Sequence, residues 1–296
     1  MARDQSDDNE PIKVGGQALA DGVLMRTSRA WAIARQDGSV EVGAVAPNPL
    51  AKVPVLRIVA GLFSALKLGI GRGMMRGSRA AGKHKANSKL NRRLLLILVG
   101  LELAAFAFTR QAGDVAASAP AIAATTIVTF AVLRLATPKS LWRYHGAEHK
   151  AVAAFEQGVD MADTAAVLKA DRVHDRCGTN LVFIVLLAGV GLRDVASGLW
   201  ELPAFLLLIG ATAEVVTLAA KRPQHVLSRA VLGGGKALQR WVTTAEPTPA
   251  EQAVGCQALA AAVAEHVRLT ALAALDEQDG EREAERPVAA LATAAA

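Results

Sequence analysis

Residues 143 to 150 read Arg-Tyr-His-Gly-Ala-Glu-His-Lys, and within them His145, Glu148 and His149 make the pattern H-x-x-E-H. On a helix, positions four apart project from one face and positions three apart are neighbours. Such a helix would aim two imidazoles at a common point, with Glu148 close to His145. Two imidazoles at that spacing can grip a divalent metal ion, zinc foremost, and a carboxylate beside a metal-activated water is suited to act as general base. His145 and His149 are therefore the candidate ligands and Glu148 the candidate catalytic residue.

The same five positions constitute the inverzincin motif, in which the paired His hold zinc and the Glu works on the bound water. Other donors could complete the shell. Glu156 follows His149 by seven residues and falls on nearly the same helical face, His174 and Cys177 form H-x-x-C, and Glu214 is a carboxyl group inside a strongly apolar stretch. A set of His145, His149, His174 and Cys177 would be closed and structural, whereas three protein ligands and a water would be open and catalytic. Both shells fit the spacing. The bland alternative is that the two His are interfacial side chains bonded to carbonyls, with Glu156 a solvated helix residue and Cys177 a small packing residue.

The elements that must hold these residues are mostly apolar helices. Four segments, Leu94 to Thr109, Val115 to Ala136, Asn180 to Leu192 and Leu202 to Ala220, are nearly free of charge, the pattern a bilayer selects. In the first of them the Leu, Ile, Val and Phe side chains favour insertion by about 4 to 5 kcal/mol, which exceeds the cost of Glu102. Lys83, Lys85, Lys89, Arg92 and Arg93 precede the first segment. Lys139, Arg143, Lys150, Lys169, Arg172 and Arg176 lie between the second and third, and Lys221, Arg222, Arg229, Lys236 and Arg240 follow the fourth. Lysine and arginine accumulate on cytoplasmic loops, so the H-x-x-E-H stretch and both termini are expected in the cytoplasm, with the chain in the inner membrane.

The expected fold class is mainly α, a polytopic helical membrane protein of about four spans with a small N-terminal β-containing cytoplasmic portion. Residues 1–11 are read as disordered. Residues 12–53 are β-rich, since Trp31-Ala32-Ile33-Ala34 and Val40-Glu41-Val42 alternate around the turn signal Asp37-Gly38-Ser39. Residues 54–90 hold a surface amphipathic helix or a weak fifth span, then a basic linker; residues 91–222 form the membrane domain, with the cytoplasmic loop 137–179. Residues 223–275 carry a cytoplasmic helix opened by the capping box Thr248-Pro249-Ala250-Glu251 and faced by Leu259, Val263 and Val267, too polar to span. Residues 276–296 are an alanine-rich tail expected to be disordered.

Composition narrows the function. The net charge of +6 comes with only 4% aromatic residues, so the basic residues orient a membrane protein rather than bind nucleic acid. Cys177 and Cys256 are the two cysteines, too few for a disulfide framework. The polar start, with Asp4, Asp7, Asp8 and Glu10, lacks the features of a secretory signal. The partner implied is the lipid bilayer, alongside a cytoplasmic protein or a second copy of the chain.

Four blocks in order, Gly15-Gly16-Gln17-Ala18 through Gly22-Val23-Leu24-Met25-Arg26, then Tyr144 to Lys150, then His174 with Arg176-Cys177-Gly178-Thr179, then Gln239 to Pro247, resemble the YqhQ-like family of bacterial multi-pass membrane proteins. The resemblance implies a small cytoplasmic N-terminal portion, a helical membrane region and a cytoplasmic C-terminal helix, and that family is sometimes labelled a predicted metal-dependent enzyme. This chain has Asp21-Gly22-Val23 and Met25-Arg26-Thr27 where the family usually has Glu-Gly-Val and Met-Arg-Gly. The leading expectation is a cytoplasmic-facing metal site acting as a hydrolase. The rivals are a non-catalytic membrane scaffold with a structural metal or none, and an ion or proton transporter using Glu102 and Glu214.

Overall fold

The computed structural model describes residues 11–46, 137–189 and 198–294, and besides them 53, 61, 96, 100, 124, 127–132, 134 and 135. The expectations for residues 1–10, for the surface helix within 54–90 and for most of the segments 94–109 and 115–136, Glu102 included, lie outside the described residues.

Four strands form an antiparallel meander in chain order: β1 (Gly15–Leu19), β2 (Gly22–Arg26), β3 (Ala30–Arg35) and β4 (Val40–Ala44). The Asp37-Gly38-Ser39 signal makes the β3–β4 turn, where Gly38 takes φ +83° and Ser39 N–H donates to Asp37 Oδ1 at 2.9 Å. Thr27 stands at the β2–β3 turn. Its hydroxyl oxygen accepts from Ala30 N at 2.9 Å, and Thr27 N–H donates to Ala30 O at 2.8 Å, so side chain and backbone together close the turn. Asp21 receives Arg35 at 2.9 Å, satisfying a buried guanidinium.

Strand alternation sends Val23, Met25, Ala32 and Ala34 to one face and Leu24, Trp31 and Ile33 to the other. The first face packs on α1 (Lys139–Glu156), on α2 (Thr164–Val167) and on α6 (Pro249–Ala294) through Tyr144, Ala151, Val167, Cys256, Leu259 and Ala262. A second cluster joins α3 (Gly178–Gly189), α4 (Glu201–Lys221) and α5 (Val226–Leu238) through Ile184, Val216, Ala219, Val231 and Leu232. The molecule is thus mainly helical with a small N-terminal antiparallel sheet.

The capping box of α6 forms as its residues suggest: Glu251 Oε2 accepts from Thr248 N–H at 2.8 Å, and Thr248 Oγ1 accepts from Glu251 N–H at 3.3 Å. Of the expected α6 face Leu259 is buried and Val263 packs against the core, but Val267 does not. Gln252, Cys256, Leu259 and Ala262 are buried, whereas Val267 is 55% exposed, because α6 approaches α1 closely enough that small residues line the seam, Gly255 against the Ala147 carbonyl among them. The helix also runs on through residue 294, where a disordered tail from 276 is expected. Alanine and glutamate are strong helix formers, and their local preference outweighs the lack of large apolar groups.

Among the described residues two helices are long and apolar enough to cross a membrane: α4, with mean hydropathy 1.9, and residues Pro249–Gln278 of α6, with 1.5. The second was expected to be too polar. Alanine raises its hydropathy without supplying bulk, and its inner face is covered by the sheet and α1.

Gly146 lies where α1 meets the segment leading into α6, and a Cβ there would strike the Ala245 carbonyl. Gly146→Ala should therefore cost about 1–3 kcal/mol by overpacking, against about 1 kcal/mol for the exposed cap change Thr248→Ala. Thermal unfolding in detergent checks the order, and a Gly146→Ala protein as stable as wild type would contradict this packing.

Candidate metal centre

Helix α1 begins after Pro138 and ends at Gln157, where Gly158 at φ +75° lets Gly158 N–H and Val159 N–H turn back to the carbonyls of Phe155 and Ala154, both at 3.0 Å. Within this single helix His145, Glu148 and His149 share a face, as their spacing demands. The imidazole centroids of His145 and His149 are 4.4 Å apart with the rings at 64°.

Two backbone carbonyls fix what those rings can do. His145 Nδ1–H donates to Thr243 O at 2.6 Å, and His149 Nδ1–H donates to Arg172 O at 2.6 Å. A carbonyl can only accept, so each Nδ1 carries the proton and each Nε2 is left with a bare lone pair. Cys177 Sγ lies 3.5 Å from His145 Nε2. The two imidazoles and this thiol offer one donor atom each, all within 4.8 Å of one another. Two bare imidazole nitrogens and a sulfur form a donor set suited to zinc.

Electrostatics keep the His ligands neutral. Burial, and then the neighbouring His145, push His149 down to about 3, and burial likewise depresses His145. Burial pushes the Cys177 thiol up to about 11, with Glu148 adding to the rise, so a bound cation would have to displace the thiol proton. Glu148 is 7% exposed. Burial raises it to about 8, opposed by a hydrogen bond from the Gly16 backbone. A cleft of about 510 Å³ opens over the centre, walled by β1 on one side and by Trp142, Glu148 and residues 174–179 on the other.

Three further candidates stand apart from the converging donors. The His174 ring centroid is 6.1 Å from that of His149. Its Nδ1 accepts from Arg176 N–H at 3.3 Å and its Nε2–H donates to Glu156 Oε2 at 3.2 Å, which occupies both nitrogens. Glu156 also pairs with Arg176, so it fastens the loop carrying His174. Glu214 sits half-buried on α4, outside the His–His–Cys group.

Other residues build the centre from outside it. The turn Gln239–Thr243 is a π turn closed by Thr244 N–H to Gln239 O at 3.0 Å, and it presents the Thr243 carbonyl to His145. The fully buried Gln239 side chain accepts from His174 N–H at 2.9 Å and donates to His174 O at 3.1 Å and Asn180 Oδ1 at 3.0 Å. Arg172 donates to Thr244 Oγ1 at 3.2 Å, Arg240 O at 3.0 Å and Glu246 Oε1 at 2.5 Å, which holds its own carbonyl under His149. Lys150 Nζ donates to Leu168 O at 2.8 Å and Ala170 O at 2.9 Å and pairs with Glu246 at 3.1 Å. In the sequence Lys150 and Arg172 read as topology-setting charges. The only hint of these contacts is that Gln239 to Pro247 belong to one of the family-like blocks.

The Glu148 carboxyl ordinarily titrates near 4.5 and in the fold near 8. Between those values the folded chain keeps a proton that the unfolded chain has lost. The stability this contributes is complete below about 4.5 and disappears as pH climbs through about 8. Metal-free wild-type protein should lose thermal stability relative to Glu148→Gln between about pH 5 and about pH 8.5. Parallel melting-temperature curves for the two proteins would refute the buried, protonated carboxyl.

The profile of the family described as "Protein of unknown function (DUF1385)" matches residues 53–265. Among curated proteins the chain is similar to "Uncharacterized protein YqhQ" of Bacillus subtilis (strain 168), 25% identical over 217 residues that cover 61% of this chain and 68% of the relative. No solved structure matches the chain significantly. The family match spans well over half of the sequence and takes in every donor of the metal-competent group, and the chain belongs to this YqhQ-like family of proteins of unknown function.

Proposed function

We propose that the protein is a multi-pass membrane protein carrying a metal-dependent hydrolase centre on its cytoplasmic face. The observation that carries the chemical part is the convergence of His145, His149 and Cys177 within 4.8 Å in the lining of a cleft that also holds Glu148. His174 is committed to Glu156, so His145, His149 and Cys177 would hold the ion, a three-donor set of the kind found in catalytic rather than closed structural zinc sites. When bound, a divalent metal supplies Lewis acidity and an activated water. A dication in the cleft also favours ionised Glu148, reversing the effect of burial. Glu148 then accepts the proton of the attacking water and passes it to the leaving group, so that a C–O bond forms as an ester or amide bond breaks.

The membrane part rests on composition and on topology. Charge-poor segments at 94–109, 115–136, 180–192 and 202–220 make four spans, with Lys and Arg massed on one side. The sheet, α1 and α6 share one core, so the chain before, between and after the apolar segments must lie on one side of a bilayer. An even number of spans between β4 and α1, and another even number between α2 and α6, satisfies that condition. Four spans in two hairpins, with both termini cytoplasmic, is the arrangement that uses all four of these segments.

Detergent-purified wild-type protein should hold about one equivalent of zinc, with near-complete loss in His145→Ala/His149→Ala and retention in Glu148→Gln. Equal, substoichiometric metal in wild type and the double variant removes the centre.

A further inference from the structure

The wall of the cleft opposite the metal donors is a strand edge. In the order β1-β2-β3-β4, β1 pairs with β2 alone among the described strands, and residues 14 to 18 line the cleft along with His145, Glu148, His149 and Cys177. The direction of its free groups follows from the register. Leu19 pairs with Gly22 across a two-residue turn, the usual bonded closing pair of a tight hairpin. Bonded and non-bonded pairs alternate along an antiparallel ladder. Gly16 opposite Met25 and Ala18 opposite Val23 are then non-bonded pairs, whose N–H and C=O groups point away from β2. The Gly16 backbone accordingly reaches the Glu148 carboxyl instead of β2.

This edge is bare of bulk. Gly15 and Gly16 are exposed, and a Cβ at Gly15 would meet nothing within 4 Å. At its far end Ser140 Oγ donates to Ala20 O at 2.8 Å, which closes the row beyond Leu19. The edge thus carries outward backbone donors and acceptors about 7 Å apart at Gly16 and Ala18, the Gly16 group engaged by Glu148 and neither residue paired with a further strand among the described residues. Their natural complement is another main chain in extended form.

We propose that the substrate is an extended polypeptide segment that adds as a strand to the free edge of β1, pairing its backbone with Gly16 and Ala18 and bringing a peptide bond over His145, His149 and Cys177. The inference rests on the hydrolase reading above and gives it a substrate class. A substrate carbonyl takes the Gly16 N–H from Glu148, so docking releases the carboxyl group that must handle the water proton. Hydrolysis adds water across the amide: a C–O bond forms, the C–N bond breaks, and the proton taken up by Glu148 leaves on the new amine.

The test uses full-length, zinc-loaded Glu148→Gln protein in detergent and fluorescein-labelled decapeptide libraries, read by anisotropy. One library is unmodified, and two carry backbone N-methyl groups at the odd or the even positions. Ala18→Pro in the same background removes an outward N–H without taking a bond from the β1–β2 ladder. Binding of the unmodified library, weakened about tenfold or more by N-methylation and by Ala18→Pro, with zinc content and melting temperature of the proline variant unchanged, is the expected result. Zinc-loaded protein that ignores all three libraries or binds them equally overturns the inference alone, as does wild-type turnover of lipid vesicles and not of the unmodified peptides. Wild-type protein without bound metal overturns both the centre and the strand-docking substrate.

Discussion

Two carbonyl oxygens, those of Thr243 and Arg172, govern the centre. An imidazole has two nitrogens and, when neutral, one proton, so a hydrogen bond at Nδ1 decides that Nε2 is the ligand atom. Both bonds are 2.6 Å long, and both acceptors come from segments distant from α1. Without them the two His of one helix face could take either tautomer and a range of ring angles. With them, the bare nitrogens converge beside Cys177.

The surrounding polar network exists to keep those two carbonyls in place. Glu246 receives both Lys150 and Arg172, which ties α1, the loop after α2 and the segment entering α6 to one carboxylate. Lys150 is nearly buried, and a buried cation with its carbonyl and carboxylate partners is costly to break at any one member. Gln239 spans from the π turn to residues 174 and 180 with three hydrogen bonds. The same clamp holds the His174 backbone, while the His174 ring meets Glu156, apart from the His145–His149–Cys177 group.

The sheet and the helix share the cleft in complementary ways. Helix α1 supplies side chains at fixed angular spacing, and β1 supplies main-chain groups at fixed linear spacing. The apolar helices α3 and α4 pack together with α5 in one cluster, and α3 begins directly after Cys177. Gln239 directly follows the last residue of α5, and Asn180, its partner, lies in the first turn of α3.

Helical and strand periodicity are local, and what depends on them was legible in the residues. His145, Glu148 and His149 share a face because 3.6 residues make a turn; Asp37-Gly38-Ser39 turns because glycine tolerates positive φ; and Thr248 caps Glu251 because the two are three residues apart on one chain. Charge-poor segments, too, are a property of composition alone. Long-range contacts decided the rest. Spacing offered Glu156, His174, Cys177 and Glu214 as possible completions of the shell, and the fold brings Cys177 to the two imidazoles while both nitrogens of His174 meet other partners. Lys150 and Arg172 looked like charges counted by a membrane, yet they bind carbonyls of other segments, Leu168 and Ala170 for the one and Arg240 for the other. A sequence displays which donors exist, whereas which lone pairs are free to meet depends on the carbonyls and carboxylates that folding brings beside them.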